Sequence, residues 1–158
     1  MNQPLAPAVR IDDMPGHRIR RLHQISVGIF LQELGDMALT PVQFAALQTV
    51  AHAPGVDQRT LAGTIALDTS TTGGVVDRLE QRGWLERRTA PDDRRVRQLW
   101  LTEAGQQVLA QAVPAVQRAQ EQILAPLDEA DRAVFLRLLQ RLVDTNNAHS
   151  RAPGDVSR

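Results

Sequence analysis

The chain of 158 residues has no cysteine. Disulfides, thiolate zinc sites, iron–sulfur clusters and thiol redox sensing are thereby excluded. Long hydrophobic runs are missing as well; none approaches the ~18–20 apolar residues that cross a bilayer. The opening MNQPLAPAVRIDDMPG lacks a basic segment followed by an apolar one, so no secretory signal is read there. A cytosolic protein with no membrane partner is expected. Net charge is zero, with 18 basic against 18 acidic residues, so a globally basic nucleic-acid binder is not announced. Lysine is absent too, and every basic residue is an arginine.

What is present fits one globular domain. Hydrophobic residues make up 42% and charged residues 23%, and the length is enough to bury a core. The arginines are unevenly spread. Seven lie in one short stretch: Arg78, Arg82, Arg87, Arg88, Arg94, Arg95 and Arg97. Arginine presents a rigid planar fork to phosphates and base edges, which lysine cannot do. Asp77, Glu80, Glu86, Asp92 and Asp93 are interleaved, so a solvated charged surface is the plainer alternative.

Periodicity and turn residues divide the chain. Residues 1–16 carry Pro4, Pro7 and Pro15 and read as a mobile arm. Residues 17–35 read as a helix, with Ile19, Leu22, Ile25, Ile29 and Phe30 at three- and four-residue steps. Thr40-Pro41-Val42-Gln43 is a helix start with a capping box, and Ala53-Pro54-Gly55 is its stop. Asp57 caps a short helix through Leu61 and Ile65. Asp68 caps another, with Val75, Val76 and Leu79 inward and Gly83 closing it. Three helices within 40–83 have the spacing of a helix-turn-helix, although three short helices also describe ordinary cores. Trp84–Thr89 and Val96–Leu101 then read as two strands around the turn Ala90–Arg95. A hairpin after a helix-turn-helix is a wing, and an arginine-rich tip suits the negative potential of a narrow minor groove.

Thr102 caps the next helix, which contains Pro114 and ends at Pro126. Asp128 starts the last one, whose stripe is Val134, Phe135, Leu138, Leu139, Leu142 and Val143. The tail, 146–158, is polar and expected to fray from Thr145 onward. The winged unit, 40–101, buries its own stripes. The flanking helices, 17–35 and 102–145, carry apolar faces that nothing else in the chain covers. A second copy would cover them, so a homodimer built by these helices is expected. The alternative is a monomer whose flanking helices fold back on the core.

Three segments carry a family resemblance: Leu39–Phe44, Val76–Leu85, and Asp93-Arg94-Arg95 followed after five residues by Leu101-Thr102. Over residues 17–145 the chain resembles the multiple-antibiotic-resistance regulator (MarR) family. The resemblance implies a mainly α fold, a winged helix-turn-helix with N- and C-terminal dimerisation helices. It also implies a repressor of double-stranded operator DNA that answers to a small molecule, often an aromatic acid. By position it assigns Ser70, Thr71, Thr72, Gly73, Gly74 and Arg78 to the recognition helix. Arg94 and Arg95 fall on the wing, with Asp93 orienting Arg95, and Arg87 and Arg88 would reach phosphates. Each of these has a structural alternative: Ser70 and Thr71 as supports of the helix start, Thr72 as half core, Arg78 as the surface partner of Asp77 or Glu80. The pair Gly73-Gly74, in mid-helix, departs from the family. It removes base-reading side chains and either lets the backbone approach DNA or eases packing. The segment His17–Gln24, together with the Leu39–Phe44 run, is similar to the branch that represses aromatic-acid breakdown, nicotinate degradation in particular.

In that family the ligand lies between the dimer helices and the winged unit. His17, Arg20 and His23 recur there at three-residue steps. Arginine can take a carboxylate through two charge-assisted bonds beside a histidine, and Phe44 could wall an aromatic ring. Intersubunit ion pairs or caps are the plainer role for Arg20 and His23. The four histidines lack the spacing of a helical metal pair, and no metal or other cofactor is expected. No phosphate loop, dinucleotide fingerprint or nucleophile elbow is present, so no catalytic residue and no enzyme is expected. Two other functions remain compatible with these residues: a winged-helix transcription factor with no effector, and an interaction module that has lost DNA binding.

Overall fold

The computed structural model describes residues 9–91, 93 and 95–154. Six helices and three short strands follow in the order α1 Pro15–Leu34, α2 Pro41–His52, β1 Val56–Asp57, α3 Gln58–Thr64, α4 Thr69–Gln81, β2 Leu85–Thr89, β3 Arg97–Leu101, α5 Glu103–Leu124 and α6 Glu129–Asn146. The starts follow the side-chain caps. The Thr40 hydroxyl accepts the Gln43 amide while the Gln43 side chain accepts the Thr40 amide, closing the expected capping box with Pro41 at the first helical position. Asp57, Asp68, Thr102 and Asp128 cap α3, α4, α5 and α6 in turn. Gly83, at φ 70°, turns the chain from α4 into the wing.

One core joins the winged unit to the flanking helices. Leu39, Leu47, Leu61, Leu79, Leu85 and Leu99 are fully buried, and Phe30 and Leu34 of α1 and Leu109, Ala112 and Ala115 of α5 pack on the same cluster. The wing is antiparallel, with Leu85 opposite Leu101 and Arg87 opposite Leu99. The sheet has a third strand that sequence reasoning missed: β1 pairs with β3, Val56 opposite Leu99. Two residues are too few to show a period of two, and their partner lies some forty positions away.

The helix boundaries differ by a few residues from those expected. A 3₁₀ turn at Ile11–Asp13 precedes α1, which starts at Pro15 rather than His17. α6 runs through Asn146, and the described tail beyond it is bonded rather than loose. The Asn147 amide donates to the Gly154 carbonyl (2.8 Å) and accepts the Gly154 N–H (3.0 Å), which brings Gly154 against Ala66 in the turn before α4. Residues 1–8 of the expected arm and 155–158 of the tail lie outside the described residues.

α6 has no buried residue at all. Its Leu138, Leu139, Leu142 and Val143 are exposed, as are Ile19 and Leu22 of α1. Together with Ile123 and Leu124 of α5 they line an apolar groove of about 860 Å³. No helix among the described residues is long and apolar enough to cross a membrane.

Candidate nucleic-acid interface

Helix α4 is the exposed helix of the helix-turn-helix, and its first turn is built around Asp68. One Asp68 carboxylate oxygen accepts the Thr71 N–H (2.8 Å) and the other the Thr71 hydroxyl (2.5 Å). The Thr71 hydroxyl leads these bonds in holding the Asp68 carboxyl below its ordinary pKa. The hydroxyl of the next residue, Thr72, donates to the Asp68 carbonyl (2.9 Å), and Thr72 is wholly buried. Of the residues assigned to this helix, Thr71 and Thr72 are thus engaged within the chain. Ser70 and Arg78 stand exposed.

The glycine pair resolves into two different positions. A Cβ on Gly73 would stand 3.2 Å from the side-chain nitrogen of Gln58, tighter than most real contacts. A Cβ on Gly74 would meet only the Arg78 guanidinium, at an ordinary 3.7 Å. Gly73 makes room for the first residue of α3, whereas at Gly74 a methyl group would fit beside Arg78.

The wing arginines differ just as much. Arg87 donates to Asp77 (2.6 Å), to Glu80 and to Gln58 (3.4 Å), tying β2 to α4 and α3. Burial works against its charge, but the bond to Asp77 and the field of Glu80 outweigh that and raise its pKa above the ordinary value. Its guanidinium is committed inside the protein. Arg88 pairs with Glu86 and stacks 4.8 Å over the Trp100 ring. Asp93 accepts the backbone N–H of Arg95 (2.9 Å), and its carbonyl accepts that of Val96 (3.0 Å), which shapes the turn of the wing. Arg95 is exposed, and Arg94 lies outside the described residues. No local pattern in the sequence singles out Arg59. It lies beside Arg95 and Arg97 on a cleft of about 520 Å³ between the start of α3 and the wing. Its isolation from the arginine cluster along the chain hid it. Among the described residues, Arg59, Arg78, Arg95 and Arg97 take part in no ion pair.

The sequence profile described as "MarR family" matches residues 39–96, which take in α2 through β2 and end just before β3. The HTH-type transcriptional repressor NicR of Pseudomonas putida is 31% identical over 137 residues, covering 86% of each chain. The chain belongs to the MarR family. As a MarR protein it is a transcriptional regulator with a winged-helix fold. Two solved structures extend the likeness over the flanking helices. The PcaV regulator of Streptomyces coelicolor, in complex with its natural ligand, is 35% identical with a TM-score of 0.81, over 88% of this chain and 98% of that one. BpsR of Bordetella bronchiseptica, whose DNA binding is regulated by 6-hydroxynicotinic acid, is 28% identical with a TM-score of 0.81, over 87% and 98%.

The four candidate ligand residues of this MarR chain are not gathered in one place. Arg20 donates to His17 Nδ1 (3.3 Å), and His17 Nε2 lies 3.9 Å from the Asp12 carboxylate. His23 lies on the apolar groove with Ile19 and Leu22. Phe44 packs edge-on against Phe30, ring centroids 6.2 Å apart. Thirteen residues of helix separate His17 from Phe30, about 20 Å along the axis. Within one chain, the His17–Arg20 pair and Phe44 therefore belong to opposite ends of α1. No group of three or more His, Asp or Glu suited to a metal ion occurs among the described residues.

Proposed function

We propose that two copies of this chain bind a pseudo-palindromic operator, repress a neighbouring operon in the cytoplasm, and are released by a small aromatic carboxylate. The observation that carries the reading is α4 exposed beside a wing, with Ser70 exposed and Arg59, Arg78 and Arg95 free of ion pairs among the described residues. Each copy would place α4 in a major groove and the tip of the wing in the flanking minor groove, half-sites about 34–36 Å apart. Arg59 and Arg97 would face phosphates. The uncovered groove on α1, α5 and α6 supports pairing, since an apolar surface of that kind is costly in water and a second copy offers matching helices. Regulation of BpsR by 6-hydroxynicotinic acid supports an aromatic acid as effector. The acid would act by binding one of two dimer geometries more tightly than the other.

The deciding experiment is selection of DNA from a random pool by the purified chain, followed by titration of the selected site at rising salt. A palindromic consensus, a dimer in solution and affinity that falls steeply with salt are expected. Arg95→Ala should weaken that binding without changing the dimer. A single subunit, or no preferred sequence, would overturn the reading.

A further inference from the structure

The end of α4 is held from two sides at once. Arg82, the residue that caps the helix, reaches across to the connection between α1 and α2. There it donates to the Ala38 carbonyl (2.7 Å) and the Met37 carbonyl (3.1 Å). The two acceptors are consecutive, and Ala38 is one of two described non-glycine residues in the left-handed region, at φ 49°. The planar fork of arginine suits a pair of acceptors in a way that a lysine ammonium does not. The same guanidinium stacks 3.6 Å over the Trp84 ring.

On the other side, Gly83 and Trp84 are clasped by α5. The Thr102 hydroxyl donates to the Gly83 carbonyl (2.5 Å), and the Thr102 N–H donates to the Trp84 carbonyl (3.2 Å). Gly105, one turn into α5, lies so close that a Cβ there would overlap the Trp84 carbonyl oxygen. The residues Arg82–Trp84 are thus bonded to the segment that follows α1 and to the start of α5. α1 and α5 in turn pack along each other, with Arg118 and Glu33 paired across them (2.9 Å). These helices carry the groove that a second copy would cover.

We infer that Arg82 is a positioning residue: it fixes the angle of the DNA-reading helix to the dimer-forming helices, and so sets which half-site spacing the pair of copies accepts. This rests on the function proposed above. Arg82 acts here through α4, because its guanidinium is occupied by two carbonyls and an aromatic face rather than offered to phosphate.

The test uses the full chain and the palindrome that the wild type selects, with versions lengthened by one or two base pairs between the half-sites. Each added pair turns one half-site by about 34° and moves it about 3.4 Å, so the wild type should discriminate strongly against them. Arg82→Ala should bind the selected site about tenfold more weakly and the lengthened sites almost as the wild type does, so discrimination collapses. Its salt dependence should match the wild type, and Arg82→Lys, which keeps the charge and one bond, should recover part of the discrimination. Equal weakening on all sites would overturn the inference and leave Arg82 a general support of the fold. A salt slope reduced by about one would overturn it in favour of a phosphate contact. If the wild type itself selects no site, the proposed function fails along with the inference, and that result is read before any variant is made.

Discussion

The side-chain amide of Gln58 lies across Gly73, so near that a methyl group on the glycine would press on it at 3.2 Å. Gln58 also accepts from Arg87 and reaches toward the Thr69 carbonyl (3.5 Å), so this one contact links α3, α4 and the wing. Of the two explanations open for the glycine pair, this contact favours packing at Gly73. At Gly74 a side chain has room.

Gly74→Ala should therefore stabilise the protein by up to about 1 kcal/mol, the helix-propensity difference. Gly73→Ala gains the same propensity but must displace Gln58, and should end near neutral or below. Urea unfolding of the two variants checks this; equal gains would show that Gln58 yields freely.

Arg87→Ala should cost about 1–2 kcal/mol. It leaves Asp77 and Glu80 facing each other without a cation, and those carboxylates are exposed enough for water to screen part of the loss. Arg88→Ala breaks an exposed pair with Glu86 and should cost less than about 1 kcal/mol. Chemical denaturation of both, with an Arg87/Asp77 double-mutant cycle, measures the difference.

Acid should loosen the helix-turn-helix. The carboxyls of Asp57 and Asp68 are held below the ordinary 3.8, in both cases led by a threonine hydroxyl, Thr60 and Thr71 respectively. A lowered native pKa means the unfolded chain binds the proton first. The stabilisation is complete above pH 3.8 and is lost as pH falls through the lower native values. Circular dichroism through acid titration should show this, and Asp57→Asn with Asp68→Asn should flatten it, since asparagine still caps but does not titrate.

Gly105→Ala should be among the most damaging single-methyl changes in the chain, about 3 kcal/mol, because the atom it meets is the backbone oxygen of Trp84 and no rotamer can yield. A fall in melting temperature well beyond that of a surface control such as Gly28→Ala checks it. A Cβ at Gly28 meets nothing within 4 Å.

On the proposed function, Arg20→Ala should leave operator affinity intact and abolish the thermal stabilisation expected of the wild type with an aromatic acid. Arg20 already donates to His17, so a carboxylate would join an existing polar pair. An undiminished shift would move the carboxylate off α1.

Much of this molecule is written locally. Thr40-Pro41-Val42-Gln43 specifies a helix start through bonds between residues three apart, and Asp57, Asp68, Thr102 and Asp128 do the same for four further helices. The hairpin of the wing and the uncovered stripe of α6 are equally plain, because turn chemistry and helical period act over a few residues. The assignment of roles among arginines was not legible. Arg78, Arg82, Arg87 and Arg95 look alike in a run of charge, yet one lies exposed, one binds two carbonyls, one is held by two carboxylates and one stands on the wing.

The sequence by itself determined the winged helix-turn-helix, its caps and the apolar stripe that α6 leaves exposed. Only the tertiary structure decided that β1 joins the sheet, that Gln58 covers Gly73, that Arg82 grips the connection after α1, and that Phe44 of α2 packs on Phe30, far along α1 from His17 and Arg20. The physical reason is separation along the chain. Partners 29 to 45 residues apart, such as Gln58 with Arg87 and Met37 with Arg82, meet only once the core has closed, and no local period records where a side chain will then find its partner.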